Sequence, residues 1–137
     1  MKVSPDSRPV LVADDDPDDL FFSCRALEKA GAGAPILQCR DGSEVVALLQ
    51  SIEKEAKPLL PRVVFLDVKM PQLDGFQTLQ WIRAQKHLQD MAVVMLSGSG
   101  EPRDIALARS LGANDYLVKY PQPADFSRVI EAAAKTS

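Results

Sequence analysis

No apolar run in the chain approaches the roughly 18 residues that a membrane-spanning helix requires. The first residues, Met1-Lys2-Val3-Ser4-Pro5, lead into a polar segment with no apolar h-region, so no secretory signal peptide is visible. Cysteine is scarce: Cys24 and Cys39 stand alone, in no metal-binding or redox spacing. Both are expected to be buried thiols in a reducing cytosol rather than a disulfide. A large excess of charge of one sign is also missing, with Lys+Arg 16 against Asp+Glu 19 and a formal net charge of −3. The basic residues are scattered, which argues against a nucleic-acid or anionic-membrane surface. Repeats and low-complexity segments are absent. What remains is the profile of a cytoplasmic globular chain, 46% hydrophobic and 26% charged. Its 137 residues are one domain's worth, enough for a single sizeable core.

The most informative stretch is Val63-Val64-Phe65-Leu66-Asp67-Val68-Lys69-Met70-Pro71-Gln72-Leu73-Asp74-Gly75. Its four leading residues are apolar without alternation, the pattern of a central strand buried on both faces. Leu73-Asp74-Gly75 is a turn signal, and Asp74 is placed to cap the helix that follows. Asp67 therefore falls where a buried strand ends and a loop begins. In open α/β sheets that carboxyl edge is where ligands bind. A lone aspartate at such a point more often just serves a turn, so the rest of the chain has to supply partners.

Residues 1–8 are polar and contain Pro5, and are expected to form a loose arm ahead of a single domain over 9–137. Pro9 to Ala13 is a short apolar strand halted at Asp14-Asp15-Asp16. Pro17 fits the first position of a helix, with Asp16 as N-cap and Asp18 and Asp19 favourable in its first turn. Leu20, Phe21, Cys24, Leu27 and Ala30 recur at helical spacing, and Gly31 closes the element. Pro35 to Cys39 is a second strand, and Asp41-Gly42-Ser43 opens a second helix. Glu53-Lys54-Glu55-Ala56-Lys57 reads as a solvated loop. After the third strand come a helix from about Gly75 to Lys86 and a buried fourth strand, Met91 to Leu96, ending at Ser97-Gly98-Ser99-Gly100. A helix near Glu101 to Leu111, a strand from Tyr116 to Val118 ending at Lys119, and a last helix from about Ala124 to Lys135 complete the chain. Five strands alternating with five helices make an α/β fold, a doubly wound parallel sheet covered on both faces. Right-handed crossovers favour the strand order 2-1-3-4-5.

In that order the polar strand ends converge. Strand one ends at Asp14-Asp15-Asp16, strand three at Asp67, strand four at Ser97 and strand five at Lys119. Taken singly, these are an acidic helix start, a turn serine and a surface lysine. Their joint occurrence on one sheet edge reverses that reading. Several carboxylates packed together raise each other's pKa unless a cation intervenes, and Mg2+ suits an all-oxygen site that keeps several waters. A lysine ammonium and a serine hydroxyl would then add donors for the oxygens of a phosphoryl group on Asp67.

In these residues the chain resembles the receiver domain of two-component response regulators, the CheY-like family, over essentially its whole length. The family's acidic pair falls on Asp14 and Asp15. Its acceptor motif falls on Asp67 with Met70-Pro71-Gln72-Leu73-Asp74-Gly75, its hydroxyl residue on Ser97 and its lysine on Lys119. The intervals from Asp67 to Ser97 and to Lys119 are also those of the family. Asp15-Asp16-Pro17-Asp18-Asp19 and the longer loop before strand three look like the single-domain subgroup serving phytochrome-type sensor kinases.

The resemblance implies a flavodoxin-like fold and a phosphorelay role. Asp67 would be the phosphoacceptor, assisted by Ser97 and Lys119. Mg2+ would be held by Asp14, Asp15, Asp67 and the backbone carbonyl of Lys69. A sensor histidine kinase or phosphotransfer protein would donate, and a downstream protein target would receive the signal. Ser97 and Tyr116 would act as switch residues, and helix four, strand five and helix five as output face or homodimer interface.

Three departures from the family pattern stand out. Ser97 replaces the commoner Thr and keeps the hydroxyl. Lys69, two residues after the acceptor, is expected to hinder water and, with Ser99 in place of a carboxylate, to lengthen the phosphoryl lifetime. The usual Lys-Pro pair is interrupted, giving Lys119-Tyr120-Pro121-Gln122-Pro123; the sequence leaves open whether an X-Pro bond there is cis, which would return Lys119 toward Asp67. Because the chain ends at Ser137, soon after the last helix, a stand-alone switch is expected. Two alternatives are a small aspartyl-phosphate phosphohydrolase, for which Asp14-Asp15-Asp16 holds the Asp-x-Asp pattern but no segment long enough for a cap, and a receiver-like docking module that no longer cycles phosphate.

Overall fold

A computed structural model describes residues 8–32, 35–52 and 59–136. The elements run β1 (Val10–Ala13), α1 (Pro17–Lys29), β2 (Ile36–Cys39), α2 (Gly42–Ser51), β3 (Val63–Asp67), α3 (Gly75–Ala84), a 3-10 turn (Lys86–Leu88), β4 (Ala92–Ser97), α4 (Pro102–Ser110), β5 (Asp115–Val118) and α5 (Pro123–Thr136). All four strand pairings are parallel, in the order β2-β1-β3-β4-β5 that the alternation of elements predicts. The solvated loop expected over residues 53–57 and nearly all of the expected N-terminal arm lie outside the described residues.

The central strands are fully buried because successive side chains enter two different cores. Leu11, Val64, Leu66, Val93 and Met95 pack with Val45 and Leu49 of α2, Leu79 and Ile82 of α3, and Ala108 of α4. Val10, Val12, Val63, Phe65, Val94 and Leu96 pack with Leu20, Cys24 and Leu27 of α1 and with Phe126 and Val129 of α5. Phe65 meets Phe126 edge-on at 5.1 Å, a geometry that adds about 1 kcal/mol to the burial itself. Both cysteines are buried free thiols, and burial pushes the Cys39 thiol up to about 11.

Helix starts follow their caps. Asp16 accepts from the amides of Asp18 and Asp19, and Pro17 occupies the first turn of α1. Asp74 and Gln77 form a reciprocal capping box on α3. Gly31, at φ +75, leaves α1 through the left-handed region that side chains disfavour. The apolar face of α1 differs from expectation at one position: Phe21 is 64% exposed, and Leu20, Ser23, Cys24, Ala26 and Leu27 form the buried stripe. Phe21 falls on the outer edge of the helix once Leu20 and Leu27 face the sheet. The helix expected to reach Lys86 stops at Ala84, where Gln85 turns to extended backbone ahead of the 3-10 turn. Arg83 then locks β5 in place, donating from Nε to Gly112 O and from Nη2 to Asn114 Oδ1, each at 2.9 Å.

Candidate functional site

The strand ends converge on one edge, and sheet-type hydrogen bonds continue past them. Asp14 N donates to Cys39 O at 3.1 Å, Val68 N to Leu96 O at 2.9 Å and Lys119 N to Ser97 O at 2.7 Å. Above this edge lies an open cavity of about 620 Å³, lined by Asp14, Asp15, Asp67, Ser97 and Lys119, with Lys69 and Tyr120 also on its border. Asp14, Asp67 and Ser97 are buried, whereas Asp15 and Lys69 are exposed.

Lys119 is the centre of the cluster. Its Nζ donates to Asp14 Oδ2 at 2.8 Å and to Asp19 Oδ2 at 2.9 Å, and lies 2.9 Å from Asp67 Oδ1. Burial raises the Asp67 carboxyl to about 6; the Lys119 hydrogen bond opposes that rise, and the charges of Asp14 and Asp15 add to it. Burial raises Asp14 as well, against hydrogen bonds from Lys119 and the Asp16 amide. Asp19 behaves differently: burial acts upward, but hydrogen bonds from Lys119 and Tyr120 hold it below the ordinary value. For Lys119, burial disfavours the ammonium, yet its three carboxylate neighbours outweigh that and raise its pKa.

Lys119 thus serves three acids, Asp14, Asp19 and Asp67, with Asp15 beside them on the cavity. Carboxylate oxygens of Asp14, Asp15 and Asp67 lie within 4.8 Å of one another. Lys119 makes no ion pair with Asp15 among the described residues. Hard oxygen donors, a deficit of positive charge and an open approach from solvent fit a divalent cation of the Mg2+ type.

On the other side of the edge, Ser97 Oγ accepts from Ser99 N at 3.0 Å, and Tyr116 donates its hydroxyl to Ser99 O at 2.7 Å. Tyr116 is half-buried, its ring against the core on the α2–α3–α4 face. Asp14, Asp15, Asp67, Lys69, Ser97 and Lys119 therefore line one cavity, while Tyr116 stands outside its lining and is joined to Ser97 through Ser99.

Two neighbours escaped the sequence reading. Asp19 was expected only as a favourable first-turn acid, and Tyr120 only as an interruption of the loop. The usable signal for Asp19 is helical: it lies one turn before the buried Ser23, on the flank of the sheet-facing stripe. The question of a cis X-Pro bond in this loop is answered in the negative. Among the described residues the cis bond is Lys119–Tyr120, and Lys119 reaches the cluster because β5 is hydrogen-bonded beside Ser97.

A family model for the response regulator receiver domain matches residues 10–131. The probable methanogenesis regulatory protein FilR2 of Methanothrix harundinacea is 31% identical over 122 residues, which cover 89% of this chain and 78% of that protein. The transcriptional regulatory protein GltR of Pseudomonas aeruginosa is 32% identical over 130 residues, 95% of this chain but only 50% of GltR. Several curated relatives are thus much longer than this chain. Among solved structures, the bacteriophytochrome response regulator AtBRR superposes with a TM-score of 0.81 at 33% identity, covering 93% of each chain.

Proposed function

Since this chain belongs to the receiver-domain family of response regulators, we propose that it works as a phosphorylation switch of a two-component phosphorelay, with Asp67 as the acceptor. The observation that carries this reading is the placement of Asp67: buried at the end of β3, 2.9 Å from Lys119 Nζ, and beside Asp14 and Asp15 at the floor of an open cavity. With its carboxyl at about 6, Asp67 is ionised at neutral pH and can attack the phosphorus of a kinase phosphohistidine or of a small donor such as acetyl phosphate. Lys119 Nζ and the Ser97 hydroxyl are the donors for the transferred oxygens. When bound by Asp14, Asp15, Asp67 and the Lys69 backbone carbonyl, Mg2+ supplies charge neutralisation for the phosphoryl oxygens. Preparations treated with acetyl phosphate and Mg2+ will carry one added phosphate by mass spectrometry, and Asp67→Asn will carry none. Phosphate persisting in that variant removes Asp67 from the role.

The likeness to AtBRR supports a phytochrome-type sensor histidine kinase, or its phosphotransfer protein, as donor. The intact acidic cluster favours this cycle over a receiver-like module that binds without phosphate. Among the described residues no helix is long and apolar enough to cross a membrane, in keeping with the cytoplasmic placement we propose. Neither nucleic acid nor membrane is proposed as a partner.

For output, the face of α4, β5 and α5 is the candidate contact for a downstream protein or a second copy. Tyr116 links it to Ser97 through Ser99, and Leu107 and Val118 expose apolar surface there. A Ser97 hydroxyl drawn toward a phosphoryl oxygen gives up its bond to Ser99 and so disturbs the carbonyl that Tyr116 holds. Amide spectra recorded with a phosphoryl mimic will show shifts across residues 100–130 that weaken in Tyr116→Ala. A silent 100–130 segment in the wild type rules this face out.

A further inference from the structure

Tyr120 joins two surfaces. Its ring packs against Phe22 of α1, with centroids 5.1 Å apart and planes at 55°. Its hydroxyl donates to Asp19 Oδ1 at 2.9 Å, while Asp19 Oδ2 accepts from Lys119 Nζ at 2.9 Å. An ammonium has three N–H groups to give. Those of Lys119 face Asp14 Oδ2, Asp19 Oδ2 and Asp67 Oδ1 at 2.8, 2.9 and 2.9 Å. A phosphoryl oxygen arriving at Asp67 therefore gains a Lys119 donor most directly when one competing carboxylate lets go.

The competitors differ in freedom. Asp14 is fully buried and fixed by the Asp16 amide. Asp19 sits on the first turn of α1 with 18% of its side chain exposed, so solvent is available to it. The Tyr120 hydroxyl opposes that rotation, since it fixes one carboxylate oxygen and aims the other at Lys119. The phenol is itself steadied, because its ring rests on Phe22.

We propose that Tyr120 is a positioning residue of the phosphoryl site: through Asp19 it occupies one Lys119 N–H group and so sets how tightly a phosphoryl group on Asp67 is held. The proposal rests on Asp67 being the acceptor. It differs from the switch at Ser97 and Tyr116 in lying on the α1 side of the edge and in acting on Lys119.

The experiment titrates the whole chain with beryllofluoride, an aspartyl-phosphate mimic, at saturating Mg2+. Tyr120→Phe keeps the ring on Phe22 and removes only the hydroxyl; Asp19→Asn removes the competing charge. Tyr120→Phe is expected to bind the mimic on the order of 3- to 10-fold tighter, the net worth of one ordinary hydrogen bond and less than that of a full bond to a charged group, because Asp19 keeps its contact with Lys119. Asp19→Asn will bind at least as tightly, and the double variant no more tightly than Asp19→Asn alone, because the phenol acts only through Asp19. A purely structural role would not produce that non-additivity. Unchanged or weaker affinity in Tyr120→Phe, or a hydroxyl effect that persists in the Asp19→Asn background, overturns the proposal while leaving Asp67 as acceptor. A folded wild type that fails to bind the mimic overturns the acceptor assignment and this proposal together.

Discussion

In chelator, Asp67→Asn will be more stable than the wild type at neutral pH, by up to about 3 kcal/mol, and the advantage will shrink to nothing by about pH 4. The folded protein raises the Asp67 carboxyl from 3.8 to about 6, chiefly by burial. Between those values the folded state binds more protons than the unfolded one, so stability falls as pH rises. The contribution is fully present below 3.8 and is lost as pH passes through about 6. Above that, the wild type carries a buried carboxylate whose cost follows from about 1.4 kcal/mol per tenfold change in proton affinity. Asparagine carries no such charge, yet its side-chain oxygen still accepts from Lys119. Asp14 and Asp19 share Lys119 with Asp67, so the comparison reads the ionisation of the coupled cluster, with Asp67 as its largest contributor. Urea midpoints across the acid-to-neutral range measure the difference. Equal midpoints at neutral pH would mean that burial does not govern the Asp67 ionisation.

Gly75→Ala will destabilise the protein by on the order of 3 kcal/mol and distort the acceptor loop. A Cβ at position 75 would overlap the Asp67 carbonyl oxygen and stand 2.9 Å from both Met95 Cε and Val68 Cα. Met95 has a flexible side chain and can give way, but the backbone of Asp67 and Val68 cannot without breaking the sheet. The Gly75 amide donates to Val68 O at 2.9 Å, so the close approach is itself part of the turn. Denaturant unfolding will show the loss, and mimic affinity will fall with it because the displaced carbonyl belongs to Asp67. A loss below about 1 kcal/mol would show that the loop yields easily.

That glycine shows what kind of information the sequence carried. Leu73-Asp74-Gly75 was legible as a turn and a cap, and Asp74 does cap α3. The demand on Gly75 comes instead from packing against Asp67, eight positions earlier, which no turn propensity encodes. The strands were legible because β1, β3 and β4 are buried on both faces and so read as unbroken apolar runs. Their polar terminators, Asp14, Asp67, Ser97 and Lys119, then fell on one edge by topology alone. Asp19 was hidden because its partner is 100 residues away and its local role as a first-turn acid was already sufficient. Phe21 misled for the reverse reason: an aromatic at helical spacing reads as core, but the flanking leucines had already set which side of α1 faces the sheet.

The backbone bonds that run on beyond the strand ends tie the main chain at the site to the strand next door, Asp14 to β2, Val68 after Asp67 to β4, and Lys119 to β4. Bonds of this kind couple the strand ends to the sheet, so we expect the buried part of the carboxyl edge to unfold with it. Warming the protein toward its transition will therefore leave cation and phosphoryl binding intact until the global unfolding event removes both at once. The chemistry inherits the thermal tolerance of the core.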